Sequence, residues 1–226
     1  MTLTKNDMPF KITAPVGYVV EPVRYRGELC RVFVGDLLDH GRRHAQDYWL
    51  ARGFVLPDAS LLYATWEALY DQRHNSEKRS VETVRKLFDD DLKEHWLMTG
   101  TRIQYHASEL DSILHNYNTP EQYLLTAKLG GKEGFVSDDY GLVIQALFET
   151  DNVGKFRNVV EWIAGVPKKQ TCLWSEYADE YNTHALVLGV DDSDSRFNID
   201  ADDGYLSLPV RAVAVKKYFK KNRGTK

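Results

Sequence analysis

Between Gly41 and Tyr70 the chain reads GRRHAQDYWLARGFVLPDASLLYATWEALY: a helical pattern, a tight turn, a short apolar run, a Leu-Pro break and a second helical pattern. No other stretch constrains the fold as tightly. In and around Asp39–Arg52, Leu38, Ala45, Trp49 and Leu50 fall near one face of a helix. Gly53 follows the last of them, where a glycine takes the left-handed conformation cheaply. Phe54-Val55-Leu56 is too short for a helix and reads as a buried strand fragment, which Pro57 ends because it cannot donate to a ladder. Asp58 is a good N-cap for the second helix. There Leu62, Trp66 and Leu69, widened by Leu61 and Thr65, make a core-facing stripe.

The flanking sequence predicts a mixed α+β chain. Tyr18–Arg24 and Glu28–Val34 are rich in β-formers and meet at Arg26-Gly27, as in a hairpin, with Pro22 marking an edge or a bulge. Glu77–Asp91 is a charged helix with Val81, Val84, Leu87 and Phe88 on one side. From His95 to His106 the period becomes two, with Thr99, Thr101, Ile103 and Tyr105 on one face of a strand. Ser108-x-x-Asp111 reads as the start of a short helix through Leu110, Ile113 and Leu114, and Thr119-Pro120-Glu121 as a second helix start. Gln122–Leu129 fits helix or strand. Leu142–Phe148, continuously apolar, predicts a buried strand. Asp151 opens an amphipathic helix whose stripe is Val153, Phe156, Val159, Val160 and Ile163, stopped by Gly165 and Pro167. Thr171–Tyr177, Thr183–Val190, Arg196–Ile199 and Ser207–Val215 are strand candidates.

The order of helix, G-x-x-L-P and helix resembles the first helix, Leu-Pro turn and second helix of C-type-lectin-like domains. At the far end Tyr205–Val215, YLSLPVRAVAV, looks like the closing strand of that fold, often written Pro-x-Arg-x-Val, which pairs with the N-terminal strand. The resemblance implies one domain over residues 1–226, with a core in 15–72 and 166–215. It also implies a large insertion over about 75–165, while residues 216–226, rich in Lys and Arg, read as a basic tail. Its sheet would be a twisted mixed or antiparallel one with the two early helices against it.

The chemistry of the known branches of that fold is not written here. Calcium-dependent lectins use Glu-Pro-Asn or Gln-Pro-Asp with Trp-Asn-Asp, and none of these occurs. Formylglycine-generating enzymes use two cysteines close together near the C-terminus, where this chain has Cys172 alone. Iron-dependent sulfoxide synthases need His-x-x-x-His-x-Glu. His40 and His44 copy the first spacing, but Gln46 stands where the carboxylate belongs. P-loop, G-x-G-x-x-G and G-x-S-x-G patterns are absent from the sequence.

Bulk properties exclude other classes. With 226 residues, 43% of them apolar and 27% charged, the chain can bury a full core. A net charge of −4 is not the electrostatic footprint of a nucleic-acid binder. That leaves only the tail Lys216–Lys226 for such a contact, where Tyr218 and Phe219 add stacking surface. Cys30 and Cys172 form no metal or disulfide pattern and suit a reducing compartment. No apolar run is long enough for a membrane span, and a cytoplasmic location is expected.

Two sets of residues carry candidate chemistry. Arg102, His106, Asp111 and His115, with Tyr105, are the densest run of hydrogen-bonding side chains and define the 102–118 region. An enzyme built there would be a small hydrolase with a histidine as general base. The acidic run Asp191-Asp192-Ser193-Asp194 and Asn198-x-Asp200-x-Asp202-Asp203-Gly204 offers oxygens of the kind calcium takes. The calcium candidates are Asp192, Asp194, Asp200 and Asp202. An EF-hand starting at Asn198 fails, because Asp203 and Pro209 stand at its sixth and twelfth positions in place of Gly and Glu. Asp, Asn and Gly favour turns, so the expected form is two solvated turns and no resident metal or cofactor. The leading functional expectation is a non-enzymatic module binding a protein or a small polar ligand through loops. The loops expected to carry it are Ser193–Ser207, with Asp200 and Asp202, and the 102–118 region, while Trp174 and Tyr177 would add aromatic contact area.

Overall fold

A computed structural model describes residues 4–5, 17–38, 57–74, 78–94, 96–104, 112–115, 121–124, 140–166, 171–173, 183–191, 196–202 and 210–217. It is an α+β fold of two sheets and a helical layer. Strands β1 (Thr4–Lys5), β2 (Tyr18–Tyr25), β3 (Glu28–Leu38) and β10 (Val210–Lys217) form the first sheet, in the order β1-β2-β3-β10. The second sheet contains β4 (Leu97–Gln104), β5 (Ser112–His115), β6 (Glu121–Leu124), β7 (Thr171–Leu173), β8 (Thr183–Asp191) and β9 (Arg196–Asp202), in the order β6-β5-β4-β8-β9-β7. Its pairings are antiparallel except β7 with β9. The helices are α1 (Ala59–Gln72), α2 (Lys78–Glu94), α3 (Tyr140–Phe148) and α4 (Val153–Ala164).

The β2–β3 hairpin turns on Arg26 and Gly27, both at positive φ (47° and 76°). That backbone matches the right-handed twist of the strands it joins. The register of β2 on β3 slips between Val20 and Val23, so Pro22 sits at an irregularity where no ladder donor is required. On its other side β3 is paired by β10, with Val210 opposite Leu38 and Lys217 opposite Cys30. The closing strand therefore returns beside the N-terminal hairpin.

Helix α1 is the centre of the molecule. Pro57 is buried at its entry, and Asp58 caps it, accepting from Leu61 N at 2.8 Å. Leu61, Leu62, Thr65, Trp66 and Leu69 are all buried, as the spacing predicts, and so are Ala59, Ser60 and Tyr63. The helix is flanked by β2, β4 and the other three helices, which explains burial on more than one face. Trp66 packs edge-on to Phe88 of α2 and Phe197 of β9, with centroids at 5.9 and 6.2 Å. Tyr63 meets Phe156 of α4 and Phe148 of α3 at 5.2 and 6.1 Å. In α4, Asn152 caps the start, accepting from Lys155 N at 2.9 Å. Phe156, Val159, Val160 and Ile163 are buried, and Gly165 ends the helix at φ 63° in the left-handed conformation.

Several expectations fail, each for a physical reason. Leu142–Phe148 lies in helix α3, not in a strand. Val143, Ile144, Ala146, Leu147 and Phe148 are all buried, and a helix enclosed on most sides leaves no apolar period to read. Ser112–His115 is a strand, not the end of a helix started at Ser108, and Glu121–Leu124 is a strand, not a helix started at Pro120. Pairing of β5 with β4 and of β6 with β5 overrides weak local helix signals. The acidic run is also strand where it is described. Asp191 ends β8, and Asp200 and Asp202 lie within β9, opposite Val187 and Ala185. The predicted helix over 39–52, the Phe54–Leu56 fragment and tail residues 218–226 lie outside the described residues. Segment 75–165 supplies α2, α3, α4, β4, β5 and β6, and its strand β4 pairs directly with β8. Among the described residues no helix is long and apolar enough to cross a membrane.

Candidate functional site

Two polar arrangements stand out, one inside the molecule and one on its surface. The inner one begins at Thr101 and His115, which face each other across β4 and β5. Arg102 pairs with Leu114, so the preceding and following residues are partners in the same ladder. Both are fully buried. His115 Nε2 lies 2.8 Å from the Ala146 carbonyl of α3, which can only accept, so Nε2 carries the proton and donates. Nδ1 then accepts from the Thr101 hydroxyl at 3.0 Å, and that hydroxyl accepts in turn from Ala59 N at 2.9 Å. Every polar atom of this relay is matched in polarity.

The relay continues at the helix cap. Asp58 receives the Tyr25 hydroxyl at 2.6 Å and the Ser60 hydroxyl at 2.8 Å besides its capping bond. Burial, then the adjacent Asp58 charge and hydrogen bond, push the Tyr25 phenol well above its usual range. Next to Tyr25, Arg26 donates from Nε to both carboxylate oxygens of Glu149, at 2.9 and 3.0 Å, just past the end of α3. Partial burial disfavours the Arg26 charge, but the Glu149 hydrogen bonds and charge outweigh it. A circuit of side chains thus ties the hairpin tip, the start of α1, strands β4 and β5 and the end of α3. Its members brace backbone groups, which is a structural use of polarity.

This placement bears on the histidine-centred set. Arg102 is partly buried on β4 and, being one residue from Thr101, belongs to the opposite face of the sheet from His115. The two side chains are therefore not brought together. His106 and Asp111 lie outside the described residues, as do Trp174, Tyr177, Asp192 and Asp194. Asp200 and Asp202 are strand positions two apart on β9. Among the described residues no three His, Cys, Asp or Glu side chains gather as a metal-ligand group.

The outer arrangement is on the helical layer. Tyr70 of α1 and Trp162 of α4 are partly buried and meet edge to face, with centroids 5.8 Å apart and planes at 74°. The Arg73 guanidinium stacks 3.6 Å over Tyr70 and donates to Tyr70 O at 2.6 Å. The Arg85 guanidinium, from α2, lies 5.9 Å from the Trp162 ring and donates to Trp162 O at 3.3 Å. Arg85 is also paired with Glu82 at 2.8 Å and Asp89 at 3.9 Å. One turn back along α1, Lys155 bridges Glu67 at 2.8 Å and Asp71 at 3.1 Å. Burial alone would favour the neutral amine, but the two carboxylates hold the Lys155 ammonium above its usual range.

Sequence reasoning missed this face. Its signal was an aromatic outside the apolar stripe: Trp162 falls between the buried positions Val159, Val160 and Ile163 of α4. No family model, no curated protein and no solved structure matches this chain.

Proposed function

We propose that the chain is a non-enzymatic binding module that engages a protein partner through the outer face of its helical layer. What supports the reading is the composition of that face. Trp, Tyr and Arg are the residues that most often dominate binding energy at protein interfaces. Here Tyr70 and Trp162 are joined edge to face, and Arg73 and Arg85 are stacked on their rings. The rings are already held in place, so little side-chain freedom remains to be lost on binding. Trp162 is only partly buried, at the edge of the side of α4 that Phe156, Val159, Val160 and Ile163 bury. The inner relay supports the same direction: both ring nitrogens of His115 are engaged by Thr101 and by a backbone carbonyl.

The test is site-specific photo-crosslinking. A photoreactive phenylalanine analogue replaces Trp162 in the full chain, and a second variant carries it at Leu29, exposed near the hairpin turn. Irradiation in the native cells gives a discrete adduct from position 162 and not from position 29. A folded chain that yields no adduct from position 162 refutes the module.

A further inference from the structure

The face described above is unusual in its charge balance. The Arg73 guanidinium donates to its own helix backbone and stacks on Tyr70, with no carboxylate partner among the described residues. A stacked guanidinium retains several N–H donors in its plane, a geometry suited to a carboxylate. Nearby, the Lys155 cluster has the opposite imbalance, two carboxylates on one ammonium. Asp71 of that cluster has 54% of its side chain exposed. An unmatched cation, Arg73 at the C-cap of α1, and a surplus anion, Asp71 in its last turn, therefore lie close together, with Tyr70 beside them and Trp162 packed on Tyr70.

A surface with both charges flanking an aromatic centre is complementary to itself. That is the requirement for an isologous contact, in which one patch meets its own copy across a two-fold axis. A strongly acidic partner would satisfy Arg73 but meet the Glu67 and Asp71 carboxylates and a chain of net charge −4. A basic partner would meet Arg73 and Arg85. We propose that this face pairs with the same face of a second copy of the chain. Arg73 of each copy meets Asp71 of the other, across abutting Tyr70 and Trp162 rings. The proposal rests on the binding-module reading and names its partner.

Sedimentation equilibrium on the full chain tests it. The native protein shows a reversible monomer–dimer equilibrium in the micromolar range, weakened by salt as expected for exposed charges. Arg73→Asp and Asp71→Arg each place like charges across the axis and weaken dimerisation at least about tenfold. The double variant R73D/D71R restores the opposite pairing and recovers most of the loss. Circular dichroism confirms the fold of each variant, with Asp71 in the exposed last turn of α1 and Arg73 at its C-cap. A chain that stays monomeric overturns the second-copy assignment, as do single reversals without effect or a double variant that fails to recover. If position 162 still captures a different protein by crosslinking, the module survives and only its partner was misassigned. If it captures nothing, both fall.

Discussion

Replacing Thr101 with valine is the sharpest probe of the buried relay. The two side chains have nearly the same shape, so the change removes a hydroxyl and leaves packing almost intact. Two buried groups lose their partner: Ala59 N–H at the start of α1 and Nδ1 of His115. Leaving a buried polar group unpaired costs about 1–3 kcal/mol, so the pair should cost about 3 kcal/mol. For a chain of this length that corresponds to a fall of roughly 6–12 °C in melting temperature. Thr101→Ser keeps the hydroxyl and loses one methyl group, a loss of about 1 kcal/mol. The assay is urea unfolding followed by tryptophan fluorescence and far-UV circular dichroism, with the slope checked for constancy across variants. A T101V/H115L double variant, apolar on both sides, should be more stable than the sum of its single losses predicts, with a coupling of about 1 kcal/mol or more. If T101V and T101S prove equally stable, or the double variant is strictly additive, the hydroxyl is not the joint between α1 and β5.

Other expectations follow from single contacts. A β-carbon at Gly189 would lie 2.3 Å from the Trp96 ring, so Gly189→Ala should destabilise by about 1–3 kcal/mol, measured by thermal unfolding, and a smaller side chain at position 96 should relieve it. Asp58→Ala removes the cap of α1 and the acceptor of two hydroxyls, and a loss of about 2 kcal/mol in urea unfolding is expected. The Tyr25 phenol titrates higher in the folded chain than in the unfolded one. Its contribution is therefore complete below about pH 10, and it declines as pH rises further because the unfolded chain ionises first. Unfolding curves across the alkaline range should show this decline, and Tyr25→Phe should flatten it.

How much of this was legible in the sequence depended on where the signal was local. The Asp58 cap, the stripe of α1, the Arg26-Gly27 turn and the Gly165 stop are each written within a few residues, and each was read from them. So was the period-two pattern that put Thr101 on one face of a strand with Thr99 and Ile103. His115 and Ser112 were misplaced because their strand exists through its neighbour β4, a partner that no window around position 112 contains. Helix α3 was misread because enclosure removes the polar face that reveals a helix. The Arg73–Tyr70–Trp162 face joins positions on separate helices, and only Trp162's departure from its stripe hinted at it. The role of His115 was hidden for a related reason: its acceptor is the Ala146 backbone carbonyl, which has no signature in sequence.

The pairing of β3 with β10 sets a timetable for synthesis. Val210 is opposite Leu38, so at about 5–20 residues per second β3 waits roughly ten to thirty seconds on the ribosome before its neighbour exists. Throughout that interval one edge of the hairpin, lined with unsatisfied amides and carbonyls, is open to any strand that passes. Newly made chains should therefore depend on shielding by chaperones until β10 has been made, and a premature stop ahead of Val210 should give insoluble product.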